Sequence, residues 1–546
     1  MDQTLADRCR AVIRERTLIG VQGSLPGALS LAFLLTVIGG ALIAIFSAAG
    51  STHLISIFRD PYLQKVVLFT LWQASLSTLL SVGLAVPVAR ALARRSHFRG
   101  RAFLVHLLGL PVVMPVIVAV FGLIAVYGKN GLLGSLILNL SNGVALPLYG
   151  LGGILLAHVF FNLPLAIRIL LPAWQAIPEE SWKLAGSLGI SGGSLFRFIE
   201  WPAVSQHLPG ICLIVFLLCF TSFAVVLTLG GGPASTTIEV AIYQSLRYDF
   251  EPAQAAVLAL IQLALCTLVA IVLLKWINVL TPSSGRRIDS RHRPDLARAG
   301  GRFLDAALIL AAGSFLFVPI LAVLLQGIRG PIIEVISQKV LWEATLRSLL
   351  IAFGATATAG CLAIGLALSA RLFRFSLKMP RTSDFWILIG SLSLAIPPMI
   401  IGTGLFIVLL RTDAVDRGTL IVISAVNALM VLPYLLRSIA PPLMQVGHQH
   451  HRLCAQLGLA GWQRFRLVDW PVIRRPVAFA LGLGAALSFG DMGVAALLDT
   501  QGATTLPVLL FHQMGAYRFD EAAVTALLLT TISLVLFWLI DRLVGR

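Results

Sequence analysis

One stretch of about 40 residues occurs twice in this chain, so the fold must present that stretch in two equivalent places. LPLAIRILLPAWQAIPEESWKLAGSLGISGGSLFRFIEWP runs from Leu163 to Pro202, and LPYLLRSIAPPLMQVGHQHHRLCAQLGLAGWQRFRLVDWP runs from Leu432 to Pro471. The two align without a gap at a shift of 269 residues (432 − 163). Leu163/Leu432, Pro164/Pro433, Arg168/Arg437, Pro172/Pro441, Leu184/Leu453, Leu188/Leu457, Gly189/Gly458, Gly192/Gly461, Phe196/Phe465, Arg197/Arg466, Trp201/Trp470 and Pro202/Pro471 are shared. Each copy leaves an apolar helix end, crosses a polar, basic segment and returns to apolar sequence, the pattern of a substantial loop between membrane spans. Connecting loops are usually short. A loop duplicated with its internal pattern intact is best explained by a surface that fits a partner twice, most simply a dimeric one.

The spans follow from composition. The chain is 58% hydrophobic and 12% charged over 546 residues, with a mean hydropathy of +0.91, which excludes a soluble globular protein. Several apolar runs exceed the roughly 20 residues needed to cross a bilayer. We expect an all-α polytopic membrane protein with about twelve transmembrane helices in two homologous parallel-repeat halves. The spans are placed near 29–49, 66–89, 103–127, 150–171, 209–229 and 253–274, then 304–326, 344–370, 385–410, 418–438, 477–497 and 521–541. Residues 1–60 form an N-terminal cytoplasmic segment with a retained first span, 61–276 the first repeated domain with its loop at 173–208, 277–303 a basic linker, and 304–546 the second half with its loop at 440–476. Further matches support two halves in the same order and orientation: Leu71–Leu76 resembles Leu341–Leu346, and Ser222-Phe223 resembles Ser488-Phe489.

The net charge of +17 is mostly topology rather than a nucleic-acid surface. Arg8, Arg10, Arg14 and Arg16, the cluster Arg90/Arg94/Arg95/Arg99/Arg101, the linker, Arg371/Arg374/Lys378/Arg381, both loops and Arg542/Arg546 hold most of the 41 basic residues. With twelve spans all these segments fall on one side, which the positive-inside bias makes the cytoplasm, termini included. Trp201-Pro202 and Trp470-Pro471 mark the re-entry of the chain into the bilayer. The six cysteines show no metal-ligand spacing and read as apolar packing residues.

Within each loop, Leu184/Leu188 and Leu453/Leu457 are four apart and give one apolar ridge on a short helix, which Gly189 or Gly458 terminates. A helix resting on lipid would show the same ridge, but would not need the same register twice. Polar residues at membrane depth need a reason. Asp491 has two open roles, facing a central path or capping a helix or pairing near an interface. His158, Asn162 and Asn427 suit hydrogen bonds between helices or contacts with cargo, and His158 and Asn427 stand at the same shift of 269. The turn Gly230-Gly231-Gly232-Pro233 lacks the Gly-Lys-Ser/Thr of a phosphate-binding loop, and no such sequence occurs elsewhere in the chain.

The loop is similar to the EAA loop of ABC importer permeases, through Ile177-Pro178, Ala185, Gly189, Phe196 and Pro202. It departs from that pattern where the motif's Glu is Lys183 and Arg452, and where its Ala pair is Leu184-Ala185 and Leu453-Cys454. Beyond the loop, Ala119–Gly122, Tyr127-Gly128, Tyr149–Leu151, Gly153–Pro164, Phe198–Pro202, Leu229–Pro233 and Thr236–Gln244 resemble the fused bacterial thiamine ABC transporter permeases, a likeness that covers nearly the whole chain. That resemblance implies a type I ABC importer permease fold and no catalytic residues. It also implies two copies of a cytoplasmic ABC ATPase, docked on Lys183, Leu184, Ala185, Leu188 and Gly189 and on Arg452, Leu453, Cys454, Leu457 and Gly458. The cargo would be thiamine or its phosphates, delivered by a periplasmic thiamine-binding protein; the candidates for lining its path, taken from their polarity at membrane depth and not from the resemblance, are His158, Asn162, Asn427 and Asp491. No cofactor or metal would be bound by this chain, ATP being used by its partner. Other readings are a related permease for iron(III) or a small organic ion, an ion-gradient-driven secondary transporter, or a membrane-embedded enzyme, for which no His pair or carboxylate cluster speaks.

Overall fold

In hydrocarbon a backbone can satisfy its own N–H and C=O groups as helix, and among the described residues this chain is helical with no strand. The computed structural model describes residues 24–50, 60–140, 147–190, 192–276, 299–393, 396–499 and 503–545. The N-terminal arginines Arg8, Arg10, Arg14 and Arg16 and most of the basic linker, Arg286 through Arg298, lie outside the described residues.

The first half contains α1 (Ser24–Ala49), α2 (Pro61–Arg94), α3 (Val116–Leu136, with a turn at 128–131) and α4 (Leu151–Gln175). The short α5 (Glu179–Ser187) follows, then α6 (Leu208–Phe220) and α7 (Pro252–Trp276). The second half contains α8 (Ala299–Arg329), α9 (Lys339–Arg371), α10 (Pro380–Leu392), α11 (Pro398–Arg411), α12 (Val415–Gln456), α13 (Trp470–Phe489) and α14 (Phe519–Gly545). Local chemistry sets several boundaries. The Asp60 carboxylate accepts the Tyr62 N–H at 2.8 Å with Pro61 in the first turn of α2. Asp520 and Glu521 open α14, and Arg542 closes it, in the order the helix dipole favours.

Ten helices among the described residues are long and apolar enough to cross a membrane. An eleventh candidate is the pair Gly193–Ser205 and α6, bent by 56° at the break before Leu208 and Pro209. Two expected spans are broken: 385–410 is two helices, α10 and α11, the second beginning at Pro398 behind Pro397, and 103–127 holds the short helices Arg101–Leu107 and Leu110–Val113 before α3 starts at Val116 behind Pro115 and runs on to Leu136. The break between α10 and α11 is at Pro397, whose backbone turns away from helical dihedrals (φ −55°, ψ 137°), with Pro398 opening the next helix, where its missing N–H is not needed.

The first helix of each half crosses to the other. Helix α1 packs on α7 of its own half and α11 of the other, and α8 packs on α14 of its own half and α3 of the other. Glycine permits both crossings: a β-carbon at Gly122 in α3 would lie 2.7 Å from the Pro319 carbonyl oxygen of α8, and one at Gly404 in α11 would strike the Ala41 backbone of α1. The start of α8 is further held by Asp305, which accepts from Arg95 Nε at 2.8 Å and lies 3.3 Å from Arg94 Nη1 at the end of α2.

The repeat is real, but its register drifts. The loops keep the shift of 269, whereas α2 and α9 start 278 residues apart (339 − 61). The hydrogen bonds agree, since Thr70 Oγ1 accepts the Ile238 N–H at 3.0 Å and Ser348 Oγ accepts the Leu506 N–H at 2.8 Å, again 278 apart on these helices (348 − 70). The likeness of Leu71–Leu76 to Leu341–Leu346 therefore joins residues at different heights, and Gln73 is buried where Glu343 is substantially exposed.

Candidate coupling loops and translocation path

The two loops end their helices identically. In α5 the Ile190 N–H reaches the Ala185 carbonyl at 2.9 Å and the Gly189 N–H reaches the Gly186 carbonyl at 3.2 Å. At the end of α12 the Leu459 N–H reaches the Cys454 carbonyl at 2.9 Å and the Gly458 N–H the Ala455 carbonyl at 3.3 Å. Gly189 and Gly458 sit at φ +68° and +65°, so each is the left-handed residue of a Schellman cap. One face of each coupling helix is seated on the protein: Trp182 and Ala185 in the first copy and Cys454 in the second are buried. The opposite face is bare. Leu184 and Leu188 are 61% and 64% exposed, and Leu453 and Leu457 are 50% and 63% exposed, so the leucine ridge read from the spacing points away from its own chain in both copies.

The basic residues beside the ridges differ. Lys183 Nζ lies 3.0 Å from Glu179 Oε1, one turn back on α5, while Arg452 is simply exposed. The approaches to the ridges differ more. Pro178 breaks the chain between α4 and α5, whereas its counterpart at the shift of 269 is Gly447, and α12 runs unbroken for 42 residues from the bilayer into the second coupling helix. The first part of the expected second loop at 440–476, as far as Gln456, is thus an extension of a spanning helix. Beside the first break lies a groove of about 410 Å³, lined by Ile177, Pro178, Ser181, Phe198, Pro202 and His207 among others.

At membrane depth the structure divides the four polar candidates. His158 Nδ1 lies 2.8 Å from Ser77 Oγ, joining α4 to α2. Asn162 Nδ2 donates to Cys219 Sγ at 3.2 Å, joining α4 to α6. Asn427 Nδ2 donates to Ser488 Oγ at 3.0 Å, joining α12 to α13. Each makes the helix-to-helix bond that its position suggests. Asp491 makes the helix cap of its second reading: Oδ1 accepts the Gly493 N–H at 3.2 Å, while Oδ2 is buried without a hydrogen-bond partner among the described residues. It stands between the halves. A β-carbon at Gly490 would fall 2.8 Å from the Pro115 ring, and one at Gly493 would lie 4.0 Å from the Phe223 ring, both in the first half. Asn427, Ser488, Asp491, Ser348 and Thr505 share a narrow cleft. At the shift of 269 the first half has Ser222, so the acid belongs to one half alone.

Sequence reasoning missed two ion pairs beneath the loops. Arg90 in α2 binds Glu200 with Nε 2.5 Å from Oε2, and Arg371 at the end of α9 binds Asp469. Their signal was visible as Glu200-Trp201-Pro202 and Asp469-Trp470-Pro471, an acid in the same place twice.

No protein-family profile matches the chain. It is similar to the thiamine transport system permease protein ThiP of Brucella abortus (strain 2308), 40% identical over 518 residues that cover 94% of each chain. It is 41% identical to ThiP of Salmonella typhimurium over 522 residues, 96% of this chain and 97% of the relative, and 40% identical to ThiP of Escherichia coli (strain K12) over the same length and shares. Such identity over nearly the whole length of both chains means that the chain belongs to the family of thiamine transport system permease proteins.

Proposed function

We propose that this chain is the membrane-spanning subunit of an ATP-driven importer that carries thiamine or its phosphates across the bacterial cytoplasmic membrane. Energy comes from two copies of a separate cytoplasmic ATPase, one on each coupling helix, and cargo comes from a periplasmic thiamine-binding protein. Both termini and the loops at 173–208 and 440–476 lie on the cytoplasmic side, where the basic residues concentrate. The observation that carries this reading is the pair of coupling helices: two leucine ridges, capped alike, each bare on the face turned away from its own chain. Apolar ridges exposed twice in one register suit two copies of one partner, and the names of the relatives supply thiamine as the transported compound.

The path runs between the halves, and Asp491 is its cation-attracting group. A carboxylate with one oxygen left without a hydrogen bond among the described residues, placed at the junction of the halves, favours a cationic cargo such as the thiazolium ring. His158, Asn162 and Asn427 shape the walls through the bonds they make to neighbouring helices. The test is uptake of labelled thiamine into sealed vesicles holding this chain with the ATPase and the binding protein. Uptake that needs ATP and both partners is the expected result. Uptake that follows an ion gradient without ATP would instead make the chain a secondary transporter.

A further inference from the structure

Beneath each coupling helix the same construction appears. The five residues Phe196–Glu200 form one π-helical turn, and Phe465–Asp469 form another at the shift of 269 (465 − 196). Each turn ends on an acid, and each acid is followed at once by Trp-Pro, which opens the short helix Trp201–Ser205 ahead of α6 in the first half and α13 itself in the second. The Glu200 and Asp469 side chains are 0% exposed. Each is held by an arginine near the far end of another helix of its own half: Arg90, one turn before the end of α2, and Arg371, where α9 passes into a further π-turn, Leu372–Ser376. The aromatic surroundings repeat as well. Phe196 packs on Trp201 with centroids 5.7 Å apart, and Phe465 packs on Trp470 at 5.9 Å, while the Arg90 guanidinium lies 4.7 Å over the Phe196 ring.

An ion pair taken out of water costs much of what it gains, so a buried pair is weak evidence for stability alone and better evidence for a fixed geometry. Single π-turns inside helices are uncommon, and they gather at places that move or act. Here the pair pins the one wide turn between the coupling helix and the next span to the end of the second span. We infer that Arg90–Glu200 and Arg371–Asp469 are positioning pairs that carry displacement of each coupling helix into α2 and α9, the helices that line their half beside α4 and α12. This rests on the proposed docking of an ATPase on the coupling helices. With the pair intact, a push on the ridge moves the π-turn and the end of the second span as one body. With it broken, the loop moves and the span stays behind.

The test uses the full chain, ATPase and binding protein in vesicles, with three readouts: assembled complex, ATP consumed, and labelled thiamine taken up. Glu200→Gln and Asp469→Asn keep shape and remove charge. We expect either variant to assemble and to move about tenfold less thiamine per ATP, the scale of coupling seen for close buried charge pairs. Exchanging the partners, Arg90→Glu with Glu200→Arg or Arg371→Asp with Asp469→Arg, is expected to restore at least half of the lost ratio, because the pair and not either residue alone carries the movement. A ratio unchanged in the neutral variants overturns the inference, as does uptake that falls only in step with the amount of complex. Where a neutral variant fails to accumulate, the exchanged pair decides: recovered accumulation with an unrecovered ratio overturns it. Absence of ATP-driven uptake by the wild-type chain would overturn the docking reading itself, and is thereby distinguishable from a failure of the pairs alone.

Discussion

Gly122 of α3 lies against the backbone of Pro319 in α8, so closely that a β-carbon at 122 would sit 2.7 Å from the Pro319 carbonyl oxygen. The neighbour is backbone, with no rotamer to yield, and Pro319 itself is interior to a helix of the other half. The same approach recurs between Gly404 of α11 and Ala41 of α1. The crossing of first helices therefore depends on two glycines for closeness, and van der Waals contact over the stretch that follows holds the halves together.

Gly122→Leu and Gly404→Leu are each expected to destabilise the folded chain by about 1–3 kcal/mol or more, the cost of overpacking a site that cannot relax. Gly313→Ala is the control. Its β-carbon would meet only the end of the Leu104 side chain at 3.2 Å, which can rotate away. Thermal unfolding in detergent should show the two leucine variants melting well below wild type and Gly313→Ala close to it. Equal melting of all four proteins would mean that the halves do not approach at these glycines.

The Schellman caps give a second prediction. At φ +68° and +65°, a residue with a β-carbon costs roughly 1–2 kcal/mol, and proline is excluded outright because its ring fixes φ near −65°. No neighbouring atom lies within 4 Å of a β-carbon at either glycine, so the penalty is conformational and not steric. Gly189→Ala and Gly458→Ala should lower ATP-driven uptake, and Gly189→Pro or Gly458→Pro should abolish it, with the protein still inserted at normal abundance. Wild-type uptake by a proline variant would take the coupling helices out of the mechanism.

How far the sequence reached depended on what kind of signal each feature left. The duplicated loop carried glycine, proline and tryptophan at fixed places, so the caps at Gly189 and Gly458 and the outward leucines could be read directly. The unbroken α12 could not, because the segment is polar and reads as loop in both copies, although the chain breaks at Pro178 in the first and runs helical through Gly447 in the second. The register of α2 on α9 was misread because runs of Leu, Ala and Ser repeat by composition, and only the contacts of Thr70 and Ser348 with distant backbone N–H groups fix the true alignment. The buried ion pairs were half legible. Glu200 and Asp469 repeat an acid before Trp-Pro, a signal the reading passed over, and Arg90 and Arg371 lie 110 and 98 residues away, with nothing in the spacing to join them.

Asp491 offers a test of the path. Asp491→Asn keeps the Oδ1 bond to the Gly493 N–H and removes the charge, so the cap on the helix Gly493–Leu497 survives. If the carboxylate attracts a cationic cargo, the variant should fold as wild type and need roughly tenfold more thiamine for half-maximal uptake, about 1.4 kcal/mol of lost attraction. Ser222→Asp, which places an acid at the counterpart in the first half, should not restore it. An unchanged concentration dependence in Asp491→Asn would reduce the residue to a helix cap.

The last prediction separates apolar from electrostatic docking on the coupling helices. Lys183 and Arg452 stand where the related motif has Glu, and both are exposed. Lys183 already faces Glu179 at 3.0 Å, so part of its field is spent within α5, and exposed ion pairs contribute only about 0–1 kcal/mol each. Lys183→Glu with Arg452→Glu should therefore weaken the complex with the ATPase modestly, and the loss should fade at high salt as screening shortens its reach. The leucines act differently. Burying a leucine fully contributes about 1.5–3 kcal/mol, so Leu188→Ser with Leu457→Ser should weaken docking by roughly a hundredfold or more, with little dependence on salt. Both residues are bare in the free chain, and their loss leaves the fold without a cavity. Co-purification of the ATPase across a salt series measures both effects together. A leucine variant that binds as wild type while the charge variant loses the ATPase at low salt would make the docking electrostatic, and the ridge would then belong to the lipid surface.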